Sequence, residues 1–132
     1  MKKIWLLIVT LLVSTVSMFA QSGPKFKFLD KNDTYNFGTV TDGEKVVHEY
    51  EYENVGNAPL VIFAADVTCG CTTTSFSKSP VMPGKKGSIK VTFDSKDKVG
   101  ATTREVYIKS NAPLENKKTH YVITLQGTVK AK

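Results

Sequence analysis

Apolar side chains recur at every second residue along most of this chain, and that period restricts it to half-buried strands. Phe26 and Phe28 alternate with Lys25 and Lys27. Val46, His48, Tyr50 and Tyr52 alternate with Val47, Glu49, Glu51 and Glu53. Ile89, Val91 and Phe93 alternate with Lys90 and Thr92, and Tyr121, Ile123 and Leu125 with Val122 and Thr124. Arg104 to Ser110 repeats the pattern, with Val106 and Ile108 inward. Leu60 to Val67 is apolar at nearly every position, which predicts a strand buried on both faces or lying at the centre of a sheet. A helix would need apolar residues three and four apart, and no window supplies such a stripe.

Turn residues punctuate the runs. Asp42-Gly43 follows a strand ending near Val40, and Asn54 to Pro59 breaks the chain before Leu60. Pro83-Gly84 suits a type II turn, because proline fixes the first central residue and glycine supplies positive φ at the second. Asp97 to Gly100 and Asn111 to Pro113 close two further connections. The longest irregular stretch runs from Cys69 to Lys86. Short strands at this spacing without helices argue for an all-β fold, an antiparallel β-sandwich.

The first twenty residues stand apart. Lys2 and Lys3 precede a charge-free, mostly apolar run from Ile4 to Phe19, and Ala20 precedes the polar Gln21-Ser22-Gly23. That is the pattern of a secretory signal peptide, 1–20, with cleavage after Ala20. The run is shorter than the roughly 20 apolar residues of a membrane span, and nothing after it is apolar enough to cross. The expectation is an exported protein, periplasmic or extracellular, with a single domain at 21–132 and no membrane span once the signal is removed. A domain of roughly 110 residues forms a core without covalent staples. The net charge of +6 falls by two when Lys2 and Lys3 leave, a modest excess that does not indicate nucleic-acid binding. Charge is nonetheless segregated: residues 30–66 hold eight acids and two lysines, whereas residues 78–132 hold twelve Lys or Arg and four acids. Cross-strand pairing of an acidic strand with later basic ones accounts for this, and one of Glu49, Glu51 and Glu53 is expected to pair with Lys90.

A set of short motifs carries a resemblance. Asn36-Phe37-Gly38-Thr39-Val40 precedes a strand ending Tyr50-Glu51-Tyr52-Glu53-Asn54. Gly56, Ala58-Pro59-Leu60-Val61-Ile62, Cys69-Gly70-Cys71-Thr72 and Pro83-Gly84 follow, then Val91-Thr92-Phe93 and Leu125-Gln126-Gly127-Thr128-Val129. In this order they resemble the bacterial secreted family called domain of unknown function 1573, across roughly residues 26–130. That family is similar to immunoglobulin-like domains of the major sperm protein and ASPM–SPD-2–Hydin type. The resemblance implies an immunoglobulin-like sandwich of about seven to eight strands and no catalytic activity. Tyr50 and Tyr52 stand where the family often has Phe, which adds hydroxyls that need partners when buried.

Cys69 and Cys71 are the two cysteines of the chain and its candidate site. They have four options: a tight disulfide, soft-metal binding, disulfide exchange with a partner, or plain packing. In a straight strand, alternate Cα atoms lie about 6.6–6.8 Å apart, with side chains pointing the same way. A disulfide needs Cβ atoms about 3.5–4.5 Å apart, so a local bond requires a bend that Gly70 permits. Such a pair is expected where a strand leaves its sheet. Two thiolates suit Cu(I), or zinc with an added histidine. His48 and His120 read as ordinary strand residues, and Met82 as loop packing. No nucleophile elbow, H-E-x-x-H or Walker loop is present, and Gly84-Lys85-Lys86-Gly87-Ser88 reads as a basic turn before a strand.

The expectation is therefore a non-catalytic exported module without a cofactor, binding a protein or glycan partner in the cell envelope. The alternative is a small thiol-redox or soft-metal protein built on Cys69 and Cys71. A periplasmic chaperone is a more distant third reading, since such proteins normally carry two domains.

Overall fold

The computed structural model describes residues 23–115 and 118–132, so the expected signal peptide lies outside the described residues. Eight strands appear among the described residues: β1 (Phe26–Phe28), β2 (Thr34–Thr41), β3 (Lys45–Asn54), β4 (Ile62–Val67), β5 (Thr72–Phe76), β6 (Lys86–Asp94), β7 (Gly100–Ser110) and β8 (Tyr121–Lys130). They form two four-stranded sheets, ordered β1-β3-β6-β5 and β2-β8-β7-β4. This is the seven-stranded immunoglobulin arrangement with its first strand split between the sheets. The expected immunoglobulin-like sandwich is present, and one of its strand pairs is parallel. β2 pairs with β8 in parallel, because after β1 the chain crosses to the other sheet without reversing.

The alternating residues meet between the sheets. Tyr50, Ile89, Val91, Phe93, Ile108, Ile123 and Leu125 are fully buried. Each side chain of this size gains about 1.5–3 kcal/mol on burial, so packing dominates the stability of the sandwich. The two unusual tyrosines find solutions. The Tyr50 hydroxyl donates to the Thr124 carbonyl at 2.6 Å, tying β3 of one sheet to β8 of the other. Burial, reinforced by the charge of Asp30, pushes its phenol well above the ordinary value of 10.0. Tyr52 lies across Gly87, where a Cβ would meet its ring and hydroxyl. Glycine on β6 thus makes room for the larger residue on β3.

Asn54 is wholly buried at the end of β3 and uses its whole amide. Its oxygen accepts from Lys25 N–H (3.2 Å) and Gly56 N–H (3.0 Å), and its nitrogen donates to the carbonyls of Ala58 and Val81 (both 2.8 Å). One side chain therefore fixes the start of β1, the turn after β3 and the approach to β6. The Pro83-Gly84 turn forms as expected, with Gly84 at φ +77° and Lys85 N–H donating to Met82 O at 3.0 Å.

Two strands differ from expectation. β4 is not central: it is the edge of its sheet, and Phe63 is 60% exposed. A register break between Ile62 and Ala64 switches the inward phase, so Ile62 precedes it in the core and Ala65 and Val67 follow it. Two alternating segments joined out of phase read as one continuous apolar run. The Cys69–Lys86 stretch is also not one loop, because β5 occupies Thr72–Phe76 and pairs with β6. Two of its three inward positions are polar: Thr72 is buried and the Thr74 hydroxyl donates to Ala65 O at 2.9 Å, and only Phe76 packs on the core as an apolar side chain. No apolar alternation marks it.

Candidate functional site

Cys69-Gly70-Cys71 forms the tight turn by which the chain passes from β4 in one sheet to β5 in the other. Thr72 N–H donates to Cys69 O at 3.1 Å, which closes the turn, and Asp94 N–H donates to Cys71 O at 2.8 Å, which docks it on β6. The two Cα atoms are 5.2 Å apart, closer than in a straight strand, and the two sulfurs are joined as a disulfide. The expected bend is present, at a strand exit, but it does not need glycine: the φ of Gly70 lies outside the left-handed region and a Cβ there would meet no atom within 4 Å.

The surroundings of the pair are asymmetric. Cys71 packs on the buried cluster of Val46, Phe93, Leu125 and Val129. Cys71 N–H points at Cys69 Sγ, 3.2 Å away. Arg104, on an inward-facing position of β7, sets its guanidinium 5.3 Å from the centre of the Phe93 ring. Its Nε is buried and has no hydrogen-bond partner. The sequence pattern marks Arg104 only as the start of a strand. Among the described residues, no group of three or more His, Cys, Asp or Glu gathers as a metal site.

The other candidates lie in separate environments. His48 Nε2 meets Asp30 Oδ1 at 3.0 Å, and its ring stacks flat on Tyr35 at 3.7 Å. This contact pins the chain where it leaves β1 for the other sheet. His120 instead meets Thr119 Oγ1 at 2.9 Å and packs edge-on against Tyr107. Met82, in the turn before Pro83, is 52% exposed. The expected ion pair to Lys90 is also corrected. Glu49 stands directly opposite Lys90 in the register, but its Oε1 accepts the Ser88 hydroxyl at 2.6 Å instead. A short hydroxyl on the neighbouring strand captures the carboxylate before a long, exposed lysine does.

The sheet edges are treated unequally. β1 has three residues and carries Lys27; β5 has five. β2 breaks register between Asn36 and Thr39, around Gly38 at φ +71°, and β4 breaks after Ile62. Short edges, lysines and bulges all discourage strand addition. β3 carries Lys45 on its outer stretch, but it is long and unbulged. It pairs with β6 from Lys45 to Glu53 but with β1 only from Tyr52 to Asn54. Even-numbered residues direct their backbone to β6, as in Asn54 N–H to Lys85 O (2.9 Å) and Ser95 N–H to Glu44 O (3.1 Å). Odd-numbered ones direct it to β1, as in Val55 N–H to Lys25 O (2.9 Å) and Leu29 N–H to Glu51 O (3.1 Å). Beyond the end of β1, Lys45, Val47 and Glu49 therefore present N–H and C=O outward, and no backbone partner among the described residues meets them. Val47, between two exposed charged residues, is itself 52% exposed. The sequence showed the strand but not this edge, which depends on where β1 ends.

The sequence profile of a family described as protein of unknown function (DUF1573) matches residues 28–129. The chain belongs to this family. The match runs from the end of β1 to Val129 in β8, and so includes the cysteine turn and the β3 edge. No curated protein matches the chain in sequence. A crystal structure of a protein of unknown function from Porphyromonas gingivalis W83 is similar, with a TM-score of 0.68 and 16% identity over 87% of this chain and 51% of that one. The Vibrio cholerae VesB protease shares a similar region, with a TM-score of 0.61 and 14% identity over 80% of this chain and 31% of that one. The PapD-like domain 7 of human CEP192, an ASH domain, matches with a TM-score of 0.56 and 17% identity over 82% of this chain and 87% of that one. The chain thus spans about half of the first of these proteins and about a third of the second. At these identities the likeness shows the immunoglobulin-like fold alone.

Proposed function

We propose that this DUF1573 protein is an exported, non-catalytic binding module of the cell envelope. It takes an extended segment of a partner protein along the free edge of β3. The carrying observation is the contrast among edges: β1 and β5 are short strands, β2 and β4 are bulged, and Lys45 to Glu49 of the long strand β3 is regular and open. Main-chain hydrogen bonds of such an edge supply affinity, and the flanking side chains supply selectivity. Export rests on the basic and apolar pattern of residues 1–20. The Cys69–Cys71 bond serves in this reading as a local clamp on the β4–β5 crossing.

A photo-crosslinking residue at position 47, in cells, tests the reading. Adducts are expected at position 47 and not at the outward Thr103 of β7, in an envelope fraction whose chain begins after residue 20. Equal adduct yield at both positions, or a chain that stays inside the cell, refutes it.

One observation favours a second reading, thiol–disulfide exchange. Arg104, with its unpaired Nε, shares the Phe93 ring with Cys71. A positive charge beside a cysteine favours its thiolate. In exchange, a partner thiolate bonds one cysteine sulfur and the other leaves as thiolate. A second partner thiol then resolves the mixed disulfide, so the partner is oxidised and Cys69 and Cys71 are reduced. Alkylation of the reduced chain across pH tests this. Arg104→Met should raise the pH at which the thiols react, and an unchanged profile removes the reading.

A further inference from the structure

We propose that the strand added to β3 is β3 of a second copy, paired antiparallel about a twofold axis at Val47. This rests on the strand-addition reading above and names its partner. A twofold interface must be self-complementary, with each residue meeting the partner position that meets it in return. The open edge has that property. With Val47 opposite Val47 of the second copy, Lys45 of each chain faces Glu49 of the other. Two exposed valine side chains meet at the axis, and two opposite-charge pairs flank them.

The backbone fits the same register. Lys45, Val47 and Glu49 all direct N–H and C=O outward, so each facing pair is of the hydrogen-bonded antiparallel kind. Their side chains share one face of the sheet, as residues two apart on a strand must. The Ser88 hydroxyl holds Glu49 by Oε1, which leaves its other carboxylate oxygen for the incoming lysine. Other arrangements lose these contacts. A parallel pairing in the same register sets Lys45 against Lys45 and Glu49 against Glu49, and like charges directly opposite are destabilising. A slip of two residues sets a charge against Val47 and loses both pairs. The antiparallel dimer joins two four-stranded sheets into one continuous sheet and leaves no open edge on either β3.

The test is the mass of the purified chain in solution as a function of concentration, for the natural sequence and for K45E, E49K and the combined K45E/E49K. The natural chain should show a concentration-dependent dimer. Each single reversal converts two attractive pairs into two repulsive ones and should weaken the dimer about tenfold or more. The combined reversal restores complementarity and should restore the dimer. An equimolar mixture of K45E and E49K should form a mixed dimer, because one chain then carries two acids where the other carries two lysines. Both positions are exposed, so unchanged circular dichroism verifies folding. Independently, V47C should crosslink to itself on oxidation, since facing Cα atoms in such a pair lie about 5.5 Å apart, within disulfide range.

A natural chain that stays monomeric into the millimolar range overturns the inference, as do reversals that leave dimerisation unchanged or a mixture that fails to recover it. The crosslinking arm separates this failure from that of the broader reading. Position-47 adducts to a different protein, with a monomeric purified chain, retain strand addition and remove the second copy. No adduct at position 47 removes both.

Discussion

Replacing Cys69 and Cys71 together with serine should cost the fold little. The disulfide joins residues two apart, so it closes a loop of three residues. In the chain-entropy account the stabilisation grows with loop length, and a loop this small contributes about 1.6 kcal/mol. The turn also keeps its other restraints, Thr72 N–H to Cys69 O and Asp94 N–H to Cys71 O, which do not involve sulfur. By comparison, removing a single buried side chain such as Ile89 or Leu125 costs about 2–5 kcal/mol. The assay is urea unfolding of the purified natural and C69S/C71S chains under non-reducing conditions. The midpoint should fall by about 1 M, with the slope unchanged, and the thermal midpoint by roughly 5–10 °C. A loss above about 4 kcal/mol, or failure to fold, would show that the bond is a staple the core depends on. A loss near zero would show that the bond contributes nothing as a clamp.

Three further perturbations probe the frame that positions the β3 edge. Asn54→Ala removes four hydrogen bonds at once from a fully buried position and should destabilise by about 3 kcal/mol, measured by urea unfolding, because several backbone groups are left unpaired. Gly127→Ala should destabilise by about 1–3 kcal/mol in the same assay, since a Cβ there meets the Phe37 ring and the Gly38 carbonyl across the β2–β8 seam. Tyr50, Tyr52 and Tyr121 all have phenols raised above 10.0, chiefly by burial, with Asp33 bonding Tyr121 in addition. Their contribution to stability is fully present below pH 10 and is lost as pH rises beyond it, so the folded chain should form less tyrosinate at pH 10–11, by ultraviolet absorbance, than the chain in denaturant.

The strands with apolar alternation were legible because period two is a local property. β3, β6, β7 and β8 announce themselves by Val46 to Tyr52, Ile89 to Phe93, Val106 to Ile108 and Tyr121 to Leu125. What local periodicity lacks is phase and partner. The break after Ile62 disguised an edge strand as a central one, and the inward Thr72 and Thr74 concealed β5. The sheet switch between β1 and β2 left no period of its own, so the parallel pairing was not visible. The cysteine site was legible for a different reason: two residues two apart constrain their own geometry, although the bend between them does not use the freedom of Gly70. Arg104, Asn54 and the open edge were not, because each acquires its role from residues far away in sequence.

The most direct test of the central claim is amide hydrogen exchange resolved at single residues along β3, in the dilute chain and again at high concentration. In the dilute chain, Lys45, Val47 and Glu49 should exchange fast, while Val46 and His48, bonded to β6, exchange slowly. At high concentration the three odd-numbered amides should become protected and the even-numbered ones stay as they were. Slow exchange at Lys45, Val47 and Glu49 in the dilute chain would mean that the chain already covers its own edge, and would contradict the account.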